Sequence, residues 1–213
     1  MFTGITRGTF AVTKVERMPG LVRYSVALDA GLSDGLAIGA SVAIDGVCQT
    51  VVSASGGEVW FDAIRETLEK TTLDELQPGR RVSVERSYRI GDELGGHVVA
   101  GHVTGTGTVQ QMRRDGHDFG LRIAVPVAWM KYVLPKGFIA VDGSSLTVGD
   151  TDRAGAFDVH LVPETLRLTN LGSKQAGDRV NIELDPKTVA IVDTVERVLE
   201  ERERAAQKSP PGE

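Results

Sequence analysis

Apolar and polar residues alternate along most of this chain in short runs broken by Gly, Asp or Pro. SVAIDGVCQTVV (41–52), EVWFDAI (58–64) and RRVSVER (80–86) set β-branched or aromatic residues at every second position, and FIAVDGSSLTV (138–148), FDVHLV (157–162) and DRVNIEL (178–184) do the same further on. A period of two predicts strands with one face buried. Asp45-Gly46 and Asp142-Gly143 each stand between apolar runs and predict tight hairpins, because glycine accepts the positive φ such turns need. ETLEKTTLDEL (66–76) reads as a short helical stretch. After 185 the period changes: Asp185 can cap a helix, Pro186 suits its first position, and Val189, Val192, Val195, Val198 and Leu199 form an apolar stripe. That stripe needs a partner, either its own domain or copies of itself. SPPGE at the end reads as a tail.

The chain is written twice. GASVAIDGVCQTV (39–51) matches KGFIAVDGSSLTV (136–148) at an offset of 97, which also pairs Gly4 with Gly101, Gly8 with Gly105 and Thr9 with Thr106. ETLEKTTL (66–73) matches ETLRLTNL (164–171), and QPGRRVSVE (77–85) matches QAGDRVNIE (175–183), at an offset of 98. Blocks in the same order with one inserted residue indicate a duplicated domain. Several short strands in each copy favour closure into a barrel, which leaves no open sheet edge. The expected division is 1–97, 98–186, a helix at 187–206 and a flexible tail at 207–213.

Of the 213 residues, 41% are hydrophobic and the net charge is −5, with Lys and Arg scattered rather than clustered. This disfavours nucleic acid or an anionic membrane as partner and points to a small molecule. No apolar run has the length of a membrane span, and MFTGITRGTF has neither a basic leader nor an apolar signal core, so a cytoplasmic protein is expected. A single cysteine, Cys48, fits a reducing compartment.

Residues that differ between the copies are candidates for unequal roles. Cys48 faces Ser145, Ser41 faces Phe138 and His102 faces Ile5. Each also has a plain structural reading: a small buried thiol, a surface hydroxyl, a packing histidine. His117 and His160 are read as structural. A metal on His97 and His102 lacks further ligands. Thr50 and Thr147, and Thr67 and Thr165, recur in both copies, as expected if each holds the same polar ligand.

MFTGI (1–5), GASVAIDGVCQTV, GGHVVAGHV (95–103), KGFIAVDGSSLTV and PETLRLTNLG (163–172) together resemble the riboflavin synthase α-chain family, over residues 1 to about 200. The resemblance implies an all-β fold of two tandem six-stranded Greek-key barrels plus a C-terminal α-helix. Each barrel would bind one 6,7-dimethyl-8-ribityllumazine, and a homotrimer would form through the helices. It implies a transferase that moves a four-carbon unit between two lumazines, giving riboflavin and 5-amino-6-(ribitylamino)uracil without metal or redox cofactor. The site would lie between barrels of neighbouring subunits, with lumazine synthase as a candidate further partner. His102, Cys48 and Ser41 fall on the family's catalytic positions, and GGHVVAGHVTGTG (95–107) then reads as a strand crossing between the barrels, its glycines allowing the flat ring close to the backbone and His97 taking a linker role. The ligand cradle of the first barrel falls on Gly4, Ile5 and Thr6 with Cys48, Gln49 and Thr50 and with Asp62, Ala63, Ile64, Arg65, Glu66 and Thr67. That of the second falls on Gly101, His102 and Val103 with Lys136, with Ser145, Leu146 and Thr147, and with Leu161, Val162, Pro163, Glu164, Thr165 and Leu166. Gln49 stands where many members carry Leu and Thr104 where many carry Asp, and Gln49 is expected to alter ligand affinity. The rival reading is a non-catalytic lumazine or flavin carrier of the same fold; the presence of Ser41, Cys48, His97 and His102 favours the enzyme.

Overall fold

The computed structural model describes residues 1–116 and 118–208; His117 and residues 209–213, which hold most of the predicted tail, lie outside the described residues. The strands close into two antiparallel barrels of six. In the first, β1 (Gly8–Met18), β2 (Leu21–Ala27), β3 (Ser41–Ile44), β4 (Val47–Ser55), β5 (Glu58–Ile64) and β6 (Arg81–Arg86) run around the ring as β1-β2-β5-β4-β3-β6. In the second, β7 (Gly105–Asp115), β8 (Asp118–Ala124), β9 (Phe138–Val141), β10 (Ser144–Asp152), β11 (Ala156–Leu161) and β12 (Arg179–Leu184) repeat the order, with β12 closing on both β7 and β9. Helix α1 (Ala30–Ser33) precedes β3, and α2 (Arg65–Lys70) and α3 (Pro163–Leu168) follow β5 and β11, each running into a 3-10 turn (Thr72–Glu75, Asn170–Ser173).

Alternation fills the barrels. On β5, Val59, Phe61 and Ala63 point inward, while Trp60 and Asp62 lie on the outer side. Tyr24 and Phe61 meet at the centre of the first core, 5.5 Å between ring centroids. The strands β1, β2, β7 and β8 are additional to the six runs predicted from the sequence. Bulges between Val12 and Lys14 and between Val109 and Gln111 shift the period midway along β1 and β7, and charged residues crowd their outer faces.

The Asp-Gly hairpins form as predicted, and their tips meet where the barrels touch: a Cβ on Gly46 would lie 2.4 Å from the Gly143 nitrogen. Asp45 and Asp142 are fully buried there. Asp45 Oδ1 accepts from the Ser83 amide (2.6 Å) and Asn170 Nδ2 (2.8 Å), while Asp142 Oδ1 accepts from the Asn181 amide (2.7 Å) and Lys174 Nζ sits 2.9 Å from its Oδ2. Asn181 Nδ2 in turn donates to the Asp45 carbonyl (2.8 Å), so the two barrels are cross-bonded. Burial, with the neighbouring Asp142 adding to it, pushes Asp45 up to about 7, against the opposing pull of Lys174 and Arg80.

A folded-state pKa near 7, above the ordinary 3.8, means the native protein holds a proton that the unfolded chain releases. The stability this group contributes is complete below the unfolded value and is lost as pH rises toward 7. Asp45→Asn keeps the Oδ1 acceptor and cannot ionise. Urea unfolding across this range should therefore show a flatter pH dependence, by up to about 1.4 kcal/mol per pH unit; an unchanged slope contradicts the assignment.

Helix α4 (Pro186–Lys208) starts as expected, with Asp185 Oδ2 accepting from the Thr188 amide (3.1 Å) and hydroxyl (2.7 Å). Val189 packs on the second barrel, and Lys131 and Tyr132 tether the helix through Asp193. The rest of the apolar face stays open, with Ile191 64%, Val195 52% and Leu199 53% exposed. No helix among the described residues is long and apolar enough to cross a membrane.

Candidate active site

Strand parity puts the chemistry on the outside of the barrels. Val42, Ile44, Val47 and Val51 of the β3–β4 hairpin enter the first core. Ser41 opposite Thr50, and Ala43 opposite Cys48, therefore share the outer face. The second hairpin repeats this, with Phe138 opposite Thr147 and Ala140 opposite Ser145. Gln49, Ala63, Leu146 and Leu161 fall on the inward parity and are buried, so a ligand on the outer face meets only their backbone. Gln49 is the clearest departure from expectation: Tyr24 Oη donates to its Oε1 (3.3 Å) and its Nε2 donates to the Cys48 carbonyl (3.0 Å). Its amide serves the buried tyrosine.

The cradle segments are exchanged relative to the expected pairing. Gly4 to Thr6 lie on the second barrel: Ser145 donates its amide to the Gly4 carbonyl (2.8 Å), and the Thr6 and Ser144 hydroxyls are 3.3 Å apart. Gly101 lies on the first barrel, accepting from the Cys48 amide (2.9 Å). Those backbone bonds make the crossing, while a carboxylate near the end of each closing strand anchors the same segment to its own barrel. Glu85 accepts from the amides of Thr3 (2.7 Å) and Gly4 (3.1 Å), and Glu183 from those of Ala100 (2.7 Å) and Gly101 (2.9 Å). Burial raises the pKa of both acids, and these same hydrogen bonds oppose the rise. Positive φ at Gly4 (73°) and Gly101 (77°) lets the segments lie flat on the opposite barrel. A Cβ at Gly4 would sit 2.5 Å from Ser145 Cβ, and one at Gly101 would sit 2.7 Å from Cys48 Cβ. The stretch 95–104 is accordingly not a strand; Val99 makes one bridge to Phe2, and β7 begins at Gly105. Its glycines at 96 and 101 accommodate protein backbone and side chains.

The two faces have one construction and different equipment. On the first, half-buried Cys48 packs among Phe2, Ala43, Val99 and Ala140, next to Gly101 and the exposed His102. Half-buried Ser41 stands one strand away, and Arg23 clasps Asp62 through two hydrogen bonds of 2.8 Å, which hold Asp62 below its usual carboxylate range. On the second, His97 Nδ1 is 2.6 Å from Ser145 Oγ and its ring stacks on Phe138 at 5.1 Å. Burial lowers the His97 pKa, with Asp185 opposing, so the ring is neutral near neutral pH. His97 was read as a linker residue; its partner lies 48 positions away, beyond any local pattern. Lys136 holds a left-handed φ of 66° where the first copy has Gly39, a strained place for a side chain and one the repeat alignment alone exposes. Exposed apolar groups rim both faces, Ile64 at 54%, Phe138 at 52% and Val162 at 60%.

Two closed barrels of one repeat, each displaying hydroxyls and apolar groups outward under a glycine segment, define a duplicated ligand-binding protein, and the lumazine binding domain matches it at residues 3–87 and 100–185. The riboflavin synthase of Escherichia coli (strain K12) is 46% identical over 206 residues, which is 96% of this chain and 96% of that one. Among solved structures, LumP complexed with riboflavin aligns with TM-score 0.81 at 24% identity, covering 87% of this chain and 100% of that one. LumP complexed with 6,7-dimethyl-8-(1'-D-ribityl) lumazine aligns with TM-score 0.77 at 26% identity, covering 86% and 98%. The chain belongs to the riboflavin synthase family.

Proposed function

We propose that this chain forms riboflavin by dismutation of two 6,7-dimethyl-8-ribityllumazine molecules, one held on the outer face of each barrel. The observation that carries this reading is the matched pair of faces with unmatched side chains, Cys48 and His102 against Ser145 and His97. Equal architecture suits two copies of one heterocycle, and unequal side chains suit donor and acceptor roles. The apolar rims offer area to a flat ring, and Thr50 and Thr147 offer hydroxyls to a ribityl chain.

The first ligand lies between Gly101, His102 and Val103 and the face of Cys48, Thr50 and Asp62 to Thr67. The second lies between Gly4, Ile5 and Thr6 and the face of Lys136, Ser145, Thr147 and Val162 to Leu166. Holding the two rings face to face supplies about 7–11 kcal/mol through alignment. The remaining steps are loss of a proton from the C7 methyl of one lumazine and addition of a nucleophile at C7 of the other. His102 has the chemistry of the proton carrier, and Cys48 and Ser41 that of the nucleophilic side. Four carbons leave the donor, which becomes 5-amino-6-(ribitylamino)uracil, and complete the third ring of the acceptor. Work by a free thiol suits the reducing cytoplasm.

The open stripe of α4 is assigned to a homotrimer that brings unlike faces of neighbouring protomers together. Deleting residues 187–213 should leave folded monomers by sedimentation, with turnover lowered by more than about a hundredfold as alignment is lost. A trimeric, active truncation contradicts this. The reaction itself is checked by adding dimethylribityllumazine: riboflavin absorbance rises, lumazine fluorescence falls, and the uracil appears in equal amount. A ligand bound for hours with unchanged absorbance marks a carrier instead.

A further inference from the structure

The duplication builds a second pair of related contacts, where the 3-10 turn of each barrel meets the other barrel. In one copy this contact is closed by charge: Arg179 on β12 reaches Asp74 Oδ2 (3.0 Å) and Glu75 Oε1 (2.7 Å). At the offset of 98, Arg179 corresponds to Arg81, but Asp74 and Glu75 correspond to Gly172 and Ser173, and Glu69 to Arg167. Three acidic positions thus become two neutral ones and a cation. The contact opens into a cleft of about 630 Å³ lined by Arg81, Arg114 and Arg167 over a floor of Phe119, Pro163 and Leu166.

Neutral groups hold two of these guanidiniums in place. Arg81 donates to the carbonyl and hydroxyl of Thr9. Arg114 donates to the Gly172 carbonyl (2.9 Å) and stacks over Phe119 at 4.9 Å. Among the described residues neither has a carboxylate partner, whereas Arg167 is paired with Glu164 at 2.6 Å. In a chain of net charge −5, two uncompensated arginines in one cleft stand against the overall balance. None of the outer-face groups Cys48, His102, Lys136, Ser145 or Thr147 lines it.

We propose that this cleft binds a small phosphate monoester with an apolar or aromatic body, the phosphoryl group on Arg81 and Arg114 and the body on Phe119, Pro163 and Leu166. A phosphoryl group near neutral pH carries about −1.5 to −2, which matches two guanidiniums, and their planar forks suit its oxygens. Its cations Arg81 and Arg114 belong to neither lumazine face, and only Pro163 and Leu166 are shared with the second face, so the site stands whether or not the proposed reaction is correct.

Phenyl phosphate and inorganic phosphate serve as probes, titrated into the full chain by calorimetry at constant ionic strength with chloride as reference. Phenyl phosphate should bind saturably at one site per chain, and inorganic phosphate about tenfold more weakly. Ser173→Glu, which restores the acid found at position 75, should weaken phenyl phosphate at least about tenfold, the equivalent of about 1.4 kcal/mol. Arg81→Gln should do the same by removing the cation and leaving residue 173 intact. Absence of saturable binding overturns the proposal, as does undiminished binding in either folded variant.

Discussion

Gly101→Val is expected to destabilise the protein by roughly 3 kcal/mol or more and to bring turnover below detection. The new side chain meets two obstacles. A β-branched residue is strained at φ 77°, and its Cβ would lie 2.7 Å from Cys48 Cβ and 2.9 Å from the Phe2 ring. Gly35 separates the two effects, because its φ is 63° and a Cβ there meets nothing within 4 Å. Gly35→Val should therefore cost only the strain of the left-handed region, about 1–2 kcal/mol. Urea unfolding of both variants measures the difference, which is the share owed to the segment lying on the first barrel. Equal losses mean that the crossing segment yields freely and does not fix the face beneath it.

The second large effect is chemical. His102→Gln and Cys48→Ser should each lower turnover by about a hundredfold or more, the size of a lost proton carrier or nucleophile, while lumazine fluorescence titration still shows binding. His102 is exposed and Cys48 half-buried, so neither change opens a cavity in a barrel core. If both variants keep full turnover, ring alignment alone carries the rate.

The hairpins and the duplication were legible in the sequence because each rests on local chemistry: alternation, Asp-Gly turns, and a repeat at nearly constant offset. The long strands β1 and β7 were not, because their bulges break the period that marks a strand. Gln49 could have been assigned inward from its parity with Val47 and Val51. The exchange of cradle segments could not. Residues 4–6 are neighbours of the first barrel in sequence, and Glu85 and Glu183 keep each segment anchored to its own barrel; only backbone bonds to residues more than 50 positions away, Gly4 to Ser145 and Gly101 to Cys48, lay it on the other one. The face of His97 toward Ser145 follows from that same crossing. Cys48, Ser41 and His102 were singled out because the copies differ at those positions, a signal that needs no knowledge of the fold.

The central claim is that one face of each kind, from neighbouring chains, makes one reaction centre, and mixed oligomers test it most directly. One parent carries Cys48→Ser with His102→Gln, which disables the first face. The other carries Ser145→Ala with Thr147→Val, which disables the second. Each parent alone should be nearly inactive on dimethylribityllumazine. Co-refolded in equal amounts, they should regain a substantial fraction of wild-type riboflavin formation, because some neighbours then pair two intact faces. Recovery no greater than the sum of the parents contradicts a centre shared between chains.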